Sequence, residues 1–409
     1  MGPHRRGALT ALTSRPVVEL PSVVVQDVQA AFVSLAHALV ELNGHAVVIG
    51  VTGSSGKTST KDLLLSVLQR HGETVASAGS LNSEVGVPLT ICRITSTTAY
   101  LVLEMGARAI GHLDYLTRMA LPQIGVVLNV GTAHVGEFGS REAIGRAKAE
   151  LVQALPATGF AVLNADDPIV AAMASKTRAH VIPVGESAKA AVRAIDIALD
   201  LAGRASFTLV TDQGSTSVAL GLYGEHHVGN ALAVAAVALN VGMPLQDVAT
   251  ALGEARPLSR WRMEVHERAD GVTIVNDAYN ANPDSMRAAL KTLAVMGKGR
   301  RTWAVLGEMR ELGPESITEH DALGRLAVRL EVSRLVAVGE GAQPIDSGAR
   351  HEGSTGDAST WVPDTDAAYE LLEQRLAPGD VVLIKSSRDA GLRWLGERLV
   401  DETGPEVSA

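Results

Sequence analysis

Short apolar runs alternate with amphipathic segments along the first half of the chain. The runs lie at residues 46–51, 100–104, 124–129 and 159–164. Each is rich in Val, Ile and Leu and is bounded by glycine or polar residues, which is typical of a buried strand. Residues 59–71 instead carry leucine and valine at helical spacing and end before Gly72, a residue that favours a helix C-terminus. This alternation predicts an α/β fold with a mostly parallel sheet covered by helices.

The pattern changes twice in the second half. Residues 190–222 alternate apolar and polar positions in shorter strands, and helices are predicted at 230–240 and 245–252. After a break near residues 256–257 the alternation of strands and helices starts again. These predicted elements are strands at 272–275, 302–306, 335–338 and 381–385 and helices at 283–293, 319–330 and 367–376. Residues 347–360 are rich in Gly and Ser and are predicted to form a mobile loop.

These changes divide the chain into three parts. Residues 1–45 contain one strand-like piece at 22–25 and one helix at 28–42, which is too little for an independent core. Residues 46–256 and 257–409 each contain enough predicted strands and helices for one α/β domain.

Composition narrows the possible partners and the compartment. The 409 residues include 36 Lys and Arg against 45 Asp and Glu, a net charge of −9, which argues against a nucleic-acid partner. The single cysteine, Cys92, excludes an internal disulfide and a multi-cysteine zinc site. No run reaches about 20 apolar residues, and the basic start lacks a long apolar core, so we expect neither a membrane span nor a signal peptide. We therefore expect a cytoplasmic protein.

A segment rich in glycine and serine connects the first of these strands to the helix after it. It comprises Gly53, Ser54, Ser55, Gly56, Lys57, Thr58 and Ser59. Glycines let backbone N–H groups face a phosphate, Lys57 can reach the terminal phosphates of a nucleotide, and the Thr58 hydroxyl can bind Mg²⁺. Val51 occupies the position where the common motif has its first glycine. The segment predicts a phosphate-binding loop; the alternative is an ordinary strand-to-helix turn.

Two candidate ligands follow neighbouring strands at the level of this loop. Glu104 ends the run at 100–104, and His134 follows the run at 124–129. Open α/β sheets bind ligands at the carboxyl ends of their strands, so both side chains are candidates to hold a cation beside the loop. The alternative for His134 is a structural hydrogen bond within its own loop.

Lys148 lies on the apolar side of a predicted helix at 142–155. It shares that face with Ile144, Leu151 and Val152. Its ammonium group either extends to the surface or stays partly desolvated. A desolvated amine with a lowered pKa can add CO₂, and the resulting carbamate binds metal as a carboxylate does.

Further polar groups lie on both sides of the predicted domain boundary. Asn230 precedes an apolar helix and fits either a helix cap or a hydrogen bond to a base. Residues 260–264 (RWRME) cross the boundary, where an arginine fits either a phosphate clamp formed on domain closure or a surface charge. Residues 276–283 (NDAYNANP) concentrate hydrogen-bonding side chains, although Asn282 and Asp284 are also typical helix-start residues.

Several segments together resemble the Mur ligases, and among them the ligases that add D-alanyl-D-alanine to UDP-N-acetylmuramoyl-tripeptide. They are TGSSGKTSTK (52–61), SLNSEVGVPLT (80–90), EMGA (104–107), AHVGEFGS (133–140), AKAE (147–150), NADDP (164–168), NDAYNANPDSM (276–286) and LGEMRELG (306–313). NDAYNANP and LGEMRELG are the most specific, because the related folylpolyglutamate synthases share the phosphate loop and the lysine but differ there. The resemblance covers about residues 15–400.

The resemblance implies an ATP- and Mg²⁺-dependent peptide ligase of peptidoglycan precursor synthesis. It implies a central P-loop ATPase domain at 46–256 with a mostly parallel sheet, and a C-terminal Rossmann-like α/β domain at 257–409. Residues 1–45 then correspond to the remnant of an N-terminal UDP-sugar-binding domain and its linker helix. The implied substrates are small molecules, UDP-N-acetylmuramoyl-tripeptide and D-alanyl-D-alanine, and we expect a monomer without a nucleic-acid partner.

The resemblance also implies roles for individual residues. The phosphates and the first Mg²⁺ would be held by Lys57 and Thr58, and the metal site would be completed by Glu104, His134 and carbamylated Lys148. The rest of the nucleotide would be contacted by Asn230 at adenine, Arg262 at phosphate and Asp277 near the ribose. The substrates would be contacted by Asn82 at the nucleotide-peptide and by Asn280 and Asn282 at the incoming dipeptide.

Two departures from the family leave alternatives open. The family usually has His-Asn in its adenine motif, and here the pair is His226-His227. The N-terminal recognition domain is reduced to residues 1–45. The alternatives are a sister ligase that adds another amino acid or a polyglutamate tail, and a nucleotide-binding protein that has lost catalysis.

Overall fold

The computed structural model describes residues 9–17, 20–131 and 135–401. At its N-terminal end, strands β1 (Ala11–Thr13) and β2 (Ser22–Val24) pair in parallel. The helix predicted at 28–42 is confirmed as α1 (Val28–Leu42), which begins at an Asp27 cap. Sequence reasoning missed β1. Helix α1 buries Ala36 and Val40 against the central sheet, so this part of the chain shares the core of the central region.

The described residues of the central region form one nine-stranded sheet. Its strands are β3 (Val47–Thr52), β4 (Thr74–Ala76), β5 (Tyr100–Glu104), β6 (Ile124–Val127), β7 (Phe160–Asn164), β8 (His180–Gly185), β9 (Val192–Leu199), β10 (Arg204–Thr211) and β11 (Gly214–Tyr223). Their order is β11-β10-β9-β8-β7-β6-β3-β5-β4, and all neighbours are parallel except β9-β10 and β10-β11. The predicted mostly parallel sheet is therefore confirmed. The alternating strands at 190–222 extend it through antiparallel pairs, but the prediction that they are shorter is wrong: β9, β10 and β11 have 8, 8 and 10 residues and are the longest described strands of this sheet.

Helices cover both faces of this sheet. They are α2 (Lys57–Leu68), α3 (Gly86–Ile91), α4 (His112–Ala120), α5 (Val135–Phe138), α6 (Arg141–Gln153), α7 (Pro168–Ala171), α8 (His227–Asn240) and α9 (Leu245–Glu254). Helices α2, α8 and α9 contribute to the core on one face, and α1, α3, α4 and α6 to the core on the other. Because both faces are buried, the parallel strands read as continuous apolar runs.

The described C-terminal residues form a separate six-stranded sheet. Its strands are β12 (Glu264–Glu267), β13 (Thr273–Asn276), β14 (Thr302–Gly307), β15 (Arg334–Val338), β16 (Ser359–Val362) and β17 (Val381–Lys385), in the order β12-β13-β17-β14-β15-β16. Only the edge pair β12-β13 is antiparallel in this sheet of described residues. The helices are α10 (Pro283–Met296), α11 (Ser316–Arg329), α12 (Gln343–His351), α13 (Thr365–Arg375) and α14 (Leu392–Asp401). The predicted second α/β unit with a Rossmann-like sheet is confirmed.

The mobile loop predicted at 347–360 is wrong. Its first part belongs to α12 and its last residues begin β16. A Cβ at Gly348 would overlap the carbonyl oxygen of Asp321 on α11, and Ile345 and Ala349 are fully buried on the same face. Glycine at this position allows the backbones of α11 and α12 to approach closely, so the glycine content that suggested a loop instead reflects tight helix packing.

Gly348→Ala is expected to lower the stability of the protein by about 1–3 kcal/mol, because the added methyl group overpacks the α11–α12 contact. The midpoint of thermal unfolding without nucleotide measures the change. Gly229→Ala on α8 is the matched control, since apart from its chain neighbours and the backbone of its own helix no described atom lies within 4 Å of the position that its Cβ would take. The control should gain roughly 0.5–1 kcal/mol from reduced backbone freedom. Equal midpoints for the two variants would contradict the packing role of Gly348.

His320 on α11 is held in its neutral form. Its ring is fully buried; Nε2 accepts from the Met309 backbone N–H at 2.8 Å, and Nδ1 donates to the Ser316 carbonyl at 2.7 Å. Burial lowers the pKa of His320, while the Ser316 bond and the charges of Glu308 and Glu319 partly oppose that change. A proton on Nε2 would displace the Met309 N–H, so the loop after β14 depends on a neutral imidazole.

The stability of the protein is expected to fall as pH drops below about 6.5, the ordinary histidine pKa, because the unfolded chain then binds a proton that folded His320 does not. His320→Gln should show a smaller fall in thermal midpoint between pH 7.5 and pH 5.5 than the wild type. His45→Gln removes an exposed histidine and should retain the wild-type dependence. An unchanged dependence in His320→Gln would contradict this account.

Within the described residues, no helix combines the length and apolar character needed to cross a membrane.

Candidate active site between the two sheets

The predicted phosphate loop connects β3 to α2. Gly56, at the start of α2, has φ 80°, and a Cβ there would lie 2.6 Å from Asn230 Oδ1 of α8. Only glycine fits this conformation and this contact. The Lys57 ammonium donates to the Gly53 carbonyl at 2.7 Å, so the lysine side chain folds back over the loop. The backbone N–H groups at the start of α2 form the kind of site that binds phosphate.

Asn129, two residues after the end of β6, holds the loop in place. Its backbone oxygen accepts from Ser54 N at 3.1 Å, and its Oδ1 accepts from Ser55 N at 2.9 Å. Its amide donates to the Ser55 carbonyl at 3.2 Å. Sequence reasoning missed this role, although a polar residue ending an apolar strand next to the loop strand was a usable signal.

Glu104 brings three predicted site residues together. It ends β5, next to β3 in the sheet, and is 1 % exposed. Its Oε2 accepts from the Thr58 hydroxyl at 2.7 Å, and its Oε1 accepts from the Asn82 amide at 2.7 Å. A carboxylate and a hydroxyl at this separation provide the hard oxygen ligands that Mg²⁺ prefers.

Lys148 lies on α6 and is buried, with 4 % of its surface exposed. The alternative of an ammonium group that extends to the surface is therefore wrong. Burial lowers the pKa of Lys148 well below its ordinary value, and the positive charge of Lys57 lowers it further. Among the described residues no carboxylate forms an ion pair with it. An uncharged amine is the form that this environment favours.

The predicted metal site is described only in part. His134 lies outside the described residues, so its distance to the loop stays a prediction. Within the part of the chain that the structure describes, no group of three His, Cys, Asp or Glu residues is placed to hold a metal. Thr58 and Glu104 fit Mg²⁺ by the chemistry of their oxygens, and the carbamate of Lys148 would add two more oxygens.

Asn230 and the two histidines lie at the start of α8, beside the loop. Asn230 is 6 % exposed and makes no helix cap, so the capping alternative is wrong. Its Nδ2 lies 3.4 Å from His227 Nδ1. His227 is buried, which lowers its pKa well below the ordinary value, and the charge on neighbouring His226 would lower it further. A neutral imidazole therefore replaces the asparagine that the family usually has.

Arg262 is held by a strained segment between the two sheets. Its neighbours Trp261 and Met263 have φ values of 58° and 50°. The Trp261 carbonyl accepts from Tyr279 N at 3.1 Å, and Met263 N donates to Asp277 Oδ1 at 3.1 Å. The guanidinium lies 4.3 Å from the centroid of the Tyr279 ring, and its buried Nε has no hydrogen-bond partner among the described residues.

The charge of Arg262 reaches the phosphate loop. Burial is the largest cause that lowers the pKa of Lys57; the charge of Glu104 opposes it, and the charge of Arg262 lowers the pKa further. A cavity lies between α2, α8 and the segment 256–263 that connects the two sheets. Its lining includes Leu63, Tyr223, His227, Leu258, Arg262 and Met263. This apolar cavity beside the loop has the character of a base-binding site.

Asp277, Asn280 and Asn282 lie in the loop between β13 and α10. Asp277 Oδ2 accepts from the Lys385 ammonium at 2.6 Å, and Lys385 is 3 % exposed. Asn282 caps α10 by accepting from Ser285 N at 2.9 Å, as its helix-start alternative predicted. Asn280 is exposed, and its Oδ1 accepts from Ala281 N at 2.9 Å. Lys385 was missed; a lysine ending an apolar strand was its only signal.

The carboxyl ends of the two sheets face each other across this site. The Tyr279 hydroxyl bonds to the Ser80 hydroxyl, two residues before Asn82. Gly136 N donates to the Glu311 carbonyl at 3.3 Å, and Asp284 lies against Gly131. The loops that carry the most specific sequence segments therefore contact the phosphate-loop side of the molecule directly.

Known families and proteins share these sequence features. The chain matches the Mur ligase middle domain over residues 51–238 and the Mur ligase, glutamate ligase domain over residues 261–388. It is 49 % identical to UDP-N-acetylmuramoyl-tripeptide–D-alanyl-D-alanine ligase of Mycobacterium tuberculosis (strain ATCC 25618 / H37Rv), over 97 % of this chain and 86 % of that protein. The Escherichia coli (strain K12) protein of the same name is 34 % identical over the same shares.

Solved structures give the same relationship. MurF from Acinetobacter baumannii superposes with a TM-score of 0.87 at 33 % identity, over 98 % of this chain and 86 % of that one. MurF ligase from Thermotoga maritima in complex with ADP superposes with a TM-score of 0.84 at 27 % identity, over 98 % and 90 %.

Proposed function

Because the chain belongs to the Mur ligase family, we propose that it is the ATP-dependent ligase that joins D-alanyl-D-alanine to UDP-N-acetylmuramoyl-tripeptide. One observation carries the proposal: four side chains converge at the carboxyl ends of β3 and β5, namely those of Lys57, Thr58, Asn82 and Glu104. The loop of Tyr279 closes over these strand ends from the other sheet. Such an arrangement can activate a carboxylate with a nucleotide and present it to an amine supplied from the opposite side.

The proposed chemistry has two steps. A carboxylate is a poor electrophile, so the γ-phosphoryl group of ATP is first transferred to the acceptor peptide's carboxylate, giving an acyl phosphate and ADP. The amine of the dipeptide then attacks the acyl carbon, loses its proton, and the tetrahedral intermediate collapses with release of phosphate. The protein contributes mainly by positioning the reactants and stabilising charge.

The described residues divide this work between them. We assign the β- and γ-phosphates to the loop backbone and to Lys57, and a further phosphate contact to the unpartnered Nε of Arg262. The cavity beside His227 and Asn230 receives the adenine, and Asp277 contacts the ribose while it anchors Met263. Asn82 is oriented by Glu104 to contact the nucleotide-peptide, and Asn280 and Asn282 lie on the dipeptide side.

Mg²⁺ is proposed as the cofactor. When bound, it would neutralise charge on the transferring phosphoryl group. Thr58 and Glu104 would hold it together with His134 and carbamylated Lys148. The low pKa of Lys148 leaves an amine that can react with CO₂, and the product carries a negative charge that Lys57 stabilises. We further propose that the protein acts in the cytoplasm, where UDP-linked precursors and ATP are present, and that it acts as a monomer.

Ligation assays test the proposed function. The purified protein is supplied with ATP, Mg²⁺ and UDP-N-acetylmuramoyl-tripeptide carrying either L-lysine or diaminopimelate. D-Alanyl-D-alanine, D-alanine and L-glutamate are each tested as the amine, with phosphate release and product mass as readouts. We expect stoichiometric phosphate release and product formation with the dipeptide. Addition of glutamate instead would identify a sister ligase, and ATP binding without phosphate release would indicate a nucleotide-binding protein that has lost catalysis.

A further inference from the structure

Three loops at the carboxyl edge of the C-terminal sheet are tied into one frame. They follow β13, β14 and β17. Lys385 donates to the Asp277 carboxylate at 2.6 Å and to the Asn280 carbonyl at 3.1 Å. Ser387 N donates to the Glu308 carbonyl at 3.0 Å, and the Ser387 hydroxyl accepts from Arg310 N at 2.9 Å. A side chain on this frame therefore has a fixed starting point relative to Tyr279 and the facing domain.

Arg388 carries an unpaired positive charge on the frame. Its neighbour Arg310 is paired with Glu308 and Asp389. Arg388 is exposed, and in the described part of the chain its guanidinium forms no ion pair; it faces the Tyr279 ring, 5.7 Å away. Its carbonyl accepts from Arg393 Nη1 at 2.7 Å, which fixes the backbone. The site thus offers a cation that no carboxylate of the described residues neutralises.

Tyr279 places this cation relative to the reacting groups. Its hydroxyl bonds to Ser80, close in sequence to Asn82, whose amide contacts Glu104. Arg262 packs on the same ring at 4.3 Å and its charge reaches Lys57. Both arginines therefore lie against the Tyr279 ring, and one of them, Arg262, acts electrostatically on the phosphate loop.

The incoming dipeptide requires such a cation. Its amine must be neutral to attack, so its C-terminal carboxylate is then its one full charge. A carboxylate that leaves water without a partner is strongly destabilised, whereas arginine can bind it through two parallel hydrogen bonds. The two ends of an extended dipeptide are about 7 Å apart, so the cation must lie beyond the phosphate contacts.

We propose that Arg388 binds the C-terminal carboxylate of the incoming dipeptide, with the Tyr279 ring holding its guanidinium in place. This assignment rests on the proposed ligase function and adds to it a residue that selects dipeptides with a free C-terminus. It also gives a role to an arginine on a fixed loop that, unlike its neighbour Arg310, has no carboxylate partner among the described residues.

Steady-state kinetics with Arg388→Gln test the assignment. Loss of a charge-assisted pair is expected to raise the KM for D-alanyl-D-alanine about 10- to 100-fold, with the KM for ATP changed less than about twofold. Arg388→Lys should recover part of the affinity, because it restores the charge without the planar fork. Arg375→Gln is the control: it removes an arginine paired with Asp357 at the end of α13, at the opposite edge of the sheet.

Kinetics with the C-terminal amide of the dipeptide complete a double-mutant cycle, in which one change removes the Arg388 charge and the other removes the carboxylate charge of the substrate. The wild type should bind D-alanyl-D-alaninamide as weakly as Arg388→Gln binds the free acid, and the substitution should have no further effect on the amide. An equal loss with acid and amide, or a raised KM for ATP alone, would overturn the assignment. A wild type that ligates glutamate but not the dipeptide would refute the proposed function itself; a wild type that ligates the dipeptide, with Arg388→Gln unchanged, would refute only this assignment.

Discussion

Lys148→Ala is expected to lower the rate of ligation by about 10²-fold or more, and added acetate should restore part of it. The substitution removes the amine that we propose becomes a carbamate beside the phosphate loop, and loss of a charge-stabilising group at such a site has an effect of this size. Acetate can enter the space left by the side chain and supply the missing carboxylate. Phosphate release with saturating substrates measures both the loss and the recovery.

Methylammonium separates the two forms that Lys148 can take. If the residue acted as an ammonium group, methylammonium would restore activity and acetate would not. Arg146→Ala on the same helix is the matched control, because Arg146 is exposed and its removal should leave the rate and its response to acetate unchanged. Full activity of Lys148→Ala without any additive would remove the carbamate from the proposal.

The electrostatics around Lys57 favour the carbamate. Two lysines close to the same loop repel each other, and the charge of Lys57 is one of the causes that lower the pKa of Lys148. With no acidic partner for Lys148 among the described residues, a charged ammonium has little to stabilise it. Conversion to an anionic carbamate changes this repulsion into an attraction. The site then offers a positive charge, on Lys57, to the phosphates and a negative charge, on the carbamate, to the metal.

The elements of the fold followed from local patterns. Apolar runs predicted β3, β5, β6 and β7 because strands buried on both faces need no polar alternation. Helix α1 was predicted with its observed bounds. The failure at 347–360 has a physical cause: Gly348 serves contact between two helices, and a single sequence does not distinguish a glycine that allows close packing from one that loosens a loop.

The site was predictable where its chemistry is local in sequence. Gly56, Lys57 and Thr58 form a contiguous segment, and these residue types in this order are typical of a phosphate-binding loop. The contacts that complete the site join distant positions: Tyr279 meets Ser80 across 199 residues, and Lys385 meets Asp277 across 108. The first pair depends on how the two sheets are apposed, and the second on the pairing of β13 with β17 inside the C-terminal sheet. No periodicity in the separate segments encodes either arrangement.

Glu104→Gln is expected to lower the rate of ligation by about 10²–10³-fold. Glutamine keeps the size of the side chain and one acceptor oxygen, but it loses the charge and one of the two oxygens that accept from Thr58 and Asn82. The fold should persist, because the glutamine oxygen can still accept from Asn82 and the glutamine amide can donate to the buried Thr58 hydroxyl. Phosphate release and binding of a non-hydrolysable ATP analogue, each measured over a range of Mg²⁺ concentrations, separate the effect on chemistry from the effect on the nucleotide complex.

Comparison with Lys148→Ala makes this result specific. Acetate should not restore Glu104→Gln, because the amide side chain still fills the space that acetate would occupy. Glu73→Gln is the control: that carboxylate accepts from Thr95 and Thr98 before β5, away from the loop, and its loss should leave the rate unchanged. If Glu104→Gln retained the wild-type rate and the wild-type dependence on Mg²⁺, the carboxylate at the end of β5 would have no part in binding the metal. The charge that stabilises phosphoryl transfer would then have to come from elsewhere in the cleft.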